Sequence, residues 1–249
     1  YGGCYQGIID RWHRATQSVK EIKEYPELAL GNIPKDFKYR FNWNAPIITA
    51  HSDPSTLYHA GNVVFKTQNG GIDWEVISPD LTRNEKSKQE AGGAPFTNEA
   101  AGGENYNTLM SLATSPFDSQ VLWAGSDDGL VHLTRDGGGN WKNVTPKEAK
   151  EGIINSIEVS PHDAATAYIT LMRYKFMDLT PYVYKTKNYG ESWELITEGI
   201  SGDHTFVRVV RADQKVPGLL YAGTETGFYI SYDEGNHWDA FQNNLPVVP

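Results

Sequence analysis

A chain of 249 residues is long enough for one large all-β domain, and its formal charge of −9 argues against a nucleic-acid backbone or an acidic membrane surface as partner. No apolar run approaches the length of a membrane span. The one cysteine, Cys4, leaves no internal disulfide framework and no Cys-based zinc site.

Frequent glycine, 12% aromatic residues and scarce helical periodicity predict many short strands with tight turns. The segment Tyr1 to Arg11 aligns without gaps to Tyr221–Ser231 and to Trp123–Leu133, so the chain opens inside a repeat. A strand before Tyr1 is expected to be missing, and no signal peptide is visible. Cys4 falls on a strand of this first unit (about 1–24), where a small buried residue is expected. An irregular Pro- and Gly-containing connection, Tyr25 to Trp43, leads to the second unit, 45–78. Its runs Pro46–Ala50, Leu57–Ala60, Val63–Lys66 and Trp74–Ile77 predict four up-and-down antiparallel strands. The same order recurs over 109–145, 153–197 and 206–241, with insertions at 79–107 and 171–181.

Four of the units carry one octet, Ser/Thr-x-Asp/Asn-x-Gly-x-x-Trp. It reads Thr67–Trp74 (Asn69, Trp74), Thr134–Trp141 (Asp136, Trp141), Thr186–Trp193 (Asn188, Trp193) and Ser231–Trp238 (Asp233, Trp238). The Asp or Asn oxygen can accept backbone N–H bonds of its own turn. The glycine supplies a positive φ, and the tryptophan anchors the next strand. A second phrase makes the corner between strands one and two: Ser52-Asp53-Pro54, Ser115-Pro116-Phe117-Asp118 and Ser160-Pro161-His162-Asp163. Repetition at this period predicts an all-β fold, a β-propeller of four-stranded antiparallel blades, about five of them covered and the ring incomplete. The alternative is a small five-bladed ring closed by strand exchange.

On these octets the chain resembles the Asp-box, or bacterial neuraminidase repeat, proteins. Over essentially its whole length it is similar to bacterial sortilin-like, glycosyl-hydrolase-type propellers. The resemblance implies two tandem propellers, of which this piece belongs to the second. It also implies a secreted, periplasmic or cell-surface address. It leaves function open, because sialidases, xyloglucanases and non-catalytic sorting receptors share the repeat.

Propeller topology puts the octets and the Ser-Pro corners on one face. The turns between strands two and three, and the crossings between blades, fall on the other, where propellers usually gather function. The octets then read as structural, the alternative of calcium binding lacking the carboxylate density it needs. The second face is expected to carry Tyr5-Gln6, Asp127-Asp128, Glu225-Thr226, the run Met172–Asp178, and Glu99, Glu104, Asn105 and Tyr106 of the long crossing.

Asp127, Asp128, Glu225 and Glu104 are candidates for the two carboxylates of glycoside hydrolysis, or else solvated turn acids. Arg40, Arg173, Arg208 and Arg211 could clamp an anion or form ordinary salt bridges. Trp43, Tyr106 and Tyr174 are aromatic candidates for a ligand platform. The arginine-bearing first strand of sialidases has no match here. The seven histidines lack metal-ligand spacing, and Gly137-Gly138-Gly139 belongs to a hairpin, so no metal or cofactor is expected. The leading expectation is a binding or scaffold module recognising a glycan, peptide or partner protein on the face opposite the octets, with the missing blades of its own polypeptide as further partner. The alternative is a glycoside hydrolase resembling xyloglucanase-type tandem propellers.

Overall fold

A computed structural model of the protein describes residues 1–25, 31–97 and 103–247. Glu99 and Gly102 of the long crossing lie outside the described residues. Among the described residues nineteen strands form five antiparallel sheets, each with its strands in chain order. The first has three strands, β1 (Gly2–Gly3), β2 (Ile9–His13) and β3 (Ser18–Glu21). The second comprises β4 (Ile47–Thr49), β5 (Leu57–Ala60), β6 (Val64–Thr67) and β7 (Glu75–Val76). The third comprises β8 (Leu109–Thr114), β9 (Leu122–Ser126), β10 (Val131–Thr134) and β11 (Lys142–Asn143). The fourth runs through β12 (Ile153–Val159), β13 (Ala167–Met172), β14 (Val183–Thr186) and β15 (Glu194–Leu195). The fifth has β16 (Val207–Ala212), β17 (Leu220–Thr224), β18 (Phe228–Ser231) and β19 (Asp239–Ala240).

First strands pack beside first strands, β4 by β8, β8 by β12 and β12 by β16, so the sheets fan as blades of a β-propeller. The core lies between blades: Trp123 and Val131 of the third meet Ile154, Ile157 and Ile169 of the fourth. Each of β8, β12 and β16 carries a bulge near its start, at Met110, Asn155 and Arg208, where register against the second strand slips. Such a bulge adds local twist and re-aims the bulged side chain.

The octets form the turn between third and fourth strands and act as latches between blades. In the third blade Asp136 accepts the Thr134 hydroxyl at 2.8 Å and the Asn140 N–H at 2.8 Å, while Gly138 N–H donates to Thr134 Oγ1. Asn69, Asn188 and Asp233 accept the equivalent bonds. Each octet tryptophan then donates its indole N–H to a carbonyl just past the outer strand of the preceding blade. Trp74 reaches Ile22, Trp141 Ile77, Trp193 Val144 and Trp238 Ile196, all at 2.7–2.8 Å. The octet glycine packs on that same residue. A Cβ on Gly235 would sit 2.4 Å from Ile196 Cδ1, and φ there is 88°. The fourth position is left-handed too, as Gly70, Gly137, Tyr189 and Glu234.

Cys4 departs from expectation. It is exposed and lies between β1 and a 3-10 turn, whereas its aligned partners Ser126 and Thr224 are buried. Those two sit beneath an inner strand, β8 or β16, and among the described residues no strand pairs with the inner edge of β1.

Candidate functional site

On the face opposite the octets, a cleft of about 560 Å³ opens among the turns that follow the second strands of the third and fourth blades, the connection at 42–44 and the long crossing. Its size is that of an ordinary ligand pocket. Of the sequence candidates it brings together Asp127, Glu104, Trp43, Tyr106 and Tyr174. Phe96, Asn42, Asn105 and Lys175 complete the walls.

Asp127 is the buried acid of the cleft. It follows β9 directly, and Thr108, at the end of the long crossing, approaches both its oxygens: the Thr108 N–H reaches Oδ1 and the Thr108 hydroxyl Oδ2, each at 2.9 Å. Asn42 Nδ2 stands 3.4 Å from Oδ2. Burial, followed by the neighbouring Asp128 charge, pushes the Asp127 carboxyl up to about 8. Thr108 Oγ1 also lies 3.5 Å from the Asn105 carbonyl, so its hydroxyl can turn there and accept the Asp127 proton. Glu104 contrasts with it. It is exposed, and its backbone forms a bridge with Asn42 that ties the crossing to the connection.

Asp128 faces the protein. Its carboxylate accepts Ser126 Oγ at 2.5 Å, Asn107 Nδ2 at 2.6 Å and the Arg83 N–H at 2.8 Å, so it anchors the crossing to the third blade. Burial raises it, against those hydrogen bonds. Glu225 lies away from the cleft lining and pairs with Arg208 Nε at 2.5 Å, within the fifth blade. Arg173 is held by Asp178 and donates Nε–H to the Glu151 carbonyl. Arg40 is buried, salt-bridged to Asp80 at 2.7 Å and bonded to the Asn107 carbonyl. Arg211 donates to Ser156 of the neighbouring blade.

The aromatic wall is an edge-to-face chain. Phe96 packs at right angles on both Tyr106 and Phe176, with ring centroids 5.3 and 5.2 Å apart. Lys175 Nζ lies 5.1 Å from the Phe96 ring. Tyr106 itself is buried, and its hydroxyl meets Glu151 at 2.5 Å, a carboxylate that Lys88 also binds at 2.7 Å. Burial alone would raise Glu151, but those two donors hold it below the usual range. Burial and Glu151 push the Tyr106 hydroxyl up, so it stays protonated. It therefore donates its hydrogen bond to the Glu151 carboxylate. Trp43 is 54% exposed and stands edge-on to Tyr5, centroids 4.4 Å apart.

Phe96 and Glu151 escaped the sequence reading. Phe96 lies in a Gly- and Ala-rich stretch without periodicity, and Glu151 belongs to a blade crossing outside any motif. Lys175 lies in the 171–181 insertion, whose mix of cationic and aromatic residues was its only signal.

No protein-family model matches the chain. It is 26% identical over 148 residues to an oligoxyloglucan-reducing-end-specific xyloglucanase of Emericella nidulans, across 58% of this chain and 16% of that protein. Among solved structures it superposes on an ancestral GH74 enzyme with a TM-score of 0.59 and 19% identity, covering 81% of this chain and 24% of that one. On the GH74 xyloglucanase of Xanthomonas campestris the TM-score is 0.52 with 16% identity, covering 96% and 45%. The fold is a β-propeller. The chain spans less than half the length of each of these proteins.

Proposed function

We propose that the cleft binds a polysaccharide chain of the β-glucan type and that Asp127 is the general acid of its hydrolysis. One observation carries this reading: a carboxyl pushed up to about 8 at the floor of an aromatic-walled cleft is still protonated at neutral pH. Glu104, exposed at the rim of the same cleft, is the second carboxylate. Glycoside hydrolysis needs that division, one acid to protonate the leaving oxygen and one carboxylate to serve as base or nucleophile. The likeness to a xyloglucanase supports the choice of glycan. The octets, on this reading, are Asp-boxes serving the fold, and the protein works outside the cytoplasm as secreted propellers do.

A panel of soluble polysaccharides that includes xyloglucan tests it through reducing-end release. Activity should fall as pH rises through about 8, where Asp127 loses its proton, and Asp127→Asn should remove it. Glycan binding without turnover is the second reading, favoured by one observation: both oxygens of Asp127 are engaged by Thr108. Tight binding with no reducing ends released, in wild type and Asp127→Asn alike, would replace the first reading by the second.

A further inference from the structure

One buried polar group of the cleft is left over. Asn105 lines it at only 2% exposure, and its side-chain amide is tied on one side. Nδ2 donates to the Phe41 carbonyl at 2.9 Å, which sets which way round the amide sits. Oδ1, on the other side, has no hydrogen-bond partner among the described residues. A buried acceptor without a donor is costly, and a fold that keeps one calls for a reason. The other buried groups in this state, on Glu24, Trp123 and His132, lie away from the cleft lining.

The amide cannot turn to relieve this. Rotated, it would set Oδ1 against the Phe41 carbonyl, acceptor on acceptor. That carbonyl is itself held, because the buried Phe41 ring stacks on His59 and Phe65 with centroids 5.5 and 5.9 Å apart. Gly7 and Gly61 press on the same ring, and a Cβ on either would come within 2.5 or 3.0 Å of it. From the other direction Asn42 Nδ2 donates to the Asn105 carbonyl at 3.0 Å, beside the backbone bridge between Asn42 and Glu104. The same Asn42 nitrogen stands 3.4 Å from Asp127 Oδ2, so one side chain separates the open acceptor from the acid.

We propose that Asn105 Oδ1 accepts one hydroxyl of the sugar unit beside Asp127, and so selects ligands on which that hydroxyl is unsubstituted. This rests on the glycan reading given above and adds to it the group that reads the ligand. An oxygen that only accepts discriminates sharply. A hydroxyl completes it, whereas a deoxy carbon or a methoxyl at the same place leaves it unpaired, and a carboxylate meets it with a second acceptor. Because the amide is fixed on both sides, the hydroxyl it holds also sets the rotation of that sugar unit against Asp127.

The probes are methyl β-cellobioside and its derivatives with one hydroxyl at a time replaced by hydrogen or methoxyl, titrated into isotope-labelled protein and followed by NMR. One position should stand out, its deoxy and methoxy derivatives binding wild type about tenfold or more weakly than the parent does. The side-chain amide signals of Asn105 should shift with the parent and respond less to those two derivatives. Asn105→Ala should bind the parent about tenfold more weakly and no longer tell it from that deoxy derivative, while the other derivatives keep their order. A residue that only holds Phe41 in place would weaken all ligands alike and leave the discrimination intact. The wild-type series and its amide signals decide the matter even if the variant fails to fold. Discrimination at no hydroxyl, or discrimination that survives Asn105→Ala, overturns the assignment and leaves the glycan reading standing. Failure of both methyl β-cellobioside and a xyloglucan oligosaccharide to bind overturns both.

Discussion

The two faces of this propeller use the same side chain to opposite ends. On the octet face, Asp136 and Asp233 sit in open turns, where bonds from their own hairpins hold both carboxyls below the usual range. On the cleft face, Asp127 is buried beside Asp128 and pushed up to about 8. Asp136 gains donors without losing water, so its charge is stabilised. Asp127 loses water and gains a like-charged neighbour, so its charge is disfavoured. A carboxylate that accepts bonds from its own turn serves the fold. One that the chain buries in a cleft is available for chemistry.

Substitutions that break this contrast should differ in kind. The largest effect is expected from Asp127→Asn, which keeps size and removes the acid. Reducing-end release should drop by about 10²–10⁴ while circular dichroism and the melting transition show an intact fold. On the octet face the measurement is stability. Trp238→Ala empties a site that is fully buried and leaves the Ile196 carbonyl without its donor. It should cost about 3–5 kcal/mol in denaturant unfolding. Gly235→Ala, at positive φ and against Ile196, should cost more than about 1 kcal/mol. Neither octet change should alter glycan affinity in the variants that remain folded.

Stability against pH sharpens the same comparison. Burial raises Asp127 and Glu24 to about 8, so above the ordinary carboxyl range the folded chain keeps protons the unfolded chain has lost. Their contribution therefore falls as pH rises towards 8. His59 and His132, pushed down to about 4 by burial, act in the opposite sense, but only up to about 6.5, where the unfolded imidazole is already neutral. Between pH 6.5 and 8 the carboxyls govern, and unfolding free energy should decline. Asp127→Asn combined with Glu24→Gln should flatten that decline; a slope unchanged by both would show that neither group is protonated in the fold. The smallest effect is expected at Arg208, whose pairing with Glu225 is partly solvent-exposed. Arg208→Gln should shift stability by less than about 1 kcal/mol and leave glycan affinity unchanged.

The octets show what was legible in the sequence. Their chemistry is local, since Thr134, Asp136, Gly138 and Asn140 satisfy one another within one hairpin, and local spacing is what a sequence displays. The order of strands within each blade follows from the same repetition. The cleft was legible only as a face. Asp127 and Asp128 are adjacent in sequence, yet one lines the cleft and the other is sealed by Arg83 and Asn107, twenty to forty-five residues away. That sorting is made by the long crossing, which has no periodicity to announce how it packs. The arginines were ambiguous for the same reason: Arg40 finds Asp80 across the fold and Arg208 finds Glu225 across a strand pair, and neither partner is marked by spacing. Cys4 misled because its alignment to buried residues carried over the strand but not the neighbour that covers them.

The indole latches all point one way, from each blade to the one before it. Ile22, Ile77, Val144 and Ile196 are each clamped by the following tryptophan and are buried. The fan thus has a grain, like overlapping roof tiles, each tryptophan sealing the outer edge of the blade before it. Trp193→Ala should therefore speed deuterium entry into the amides of β11, the strand whose end it clamps, more than into those of β7.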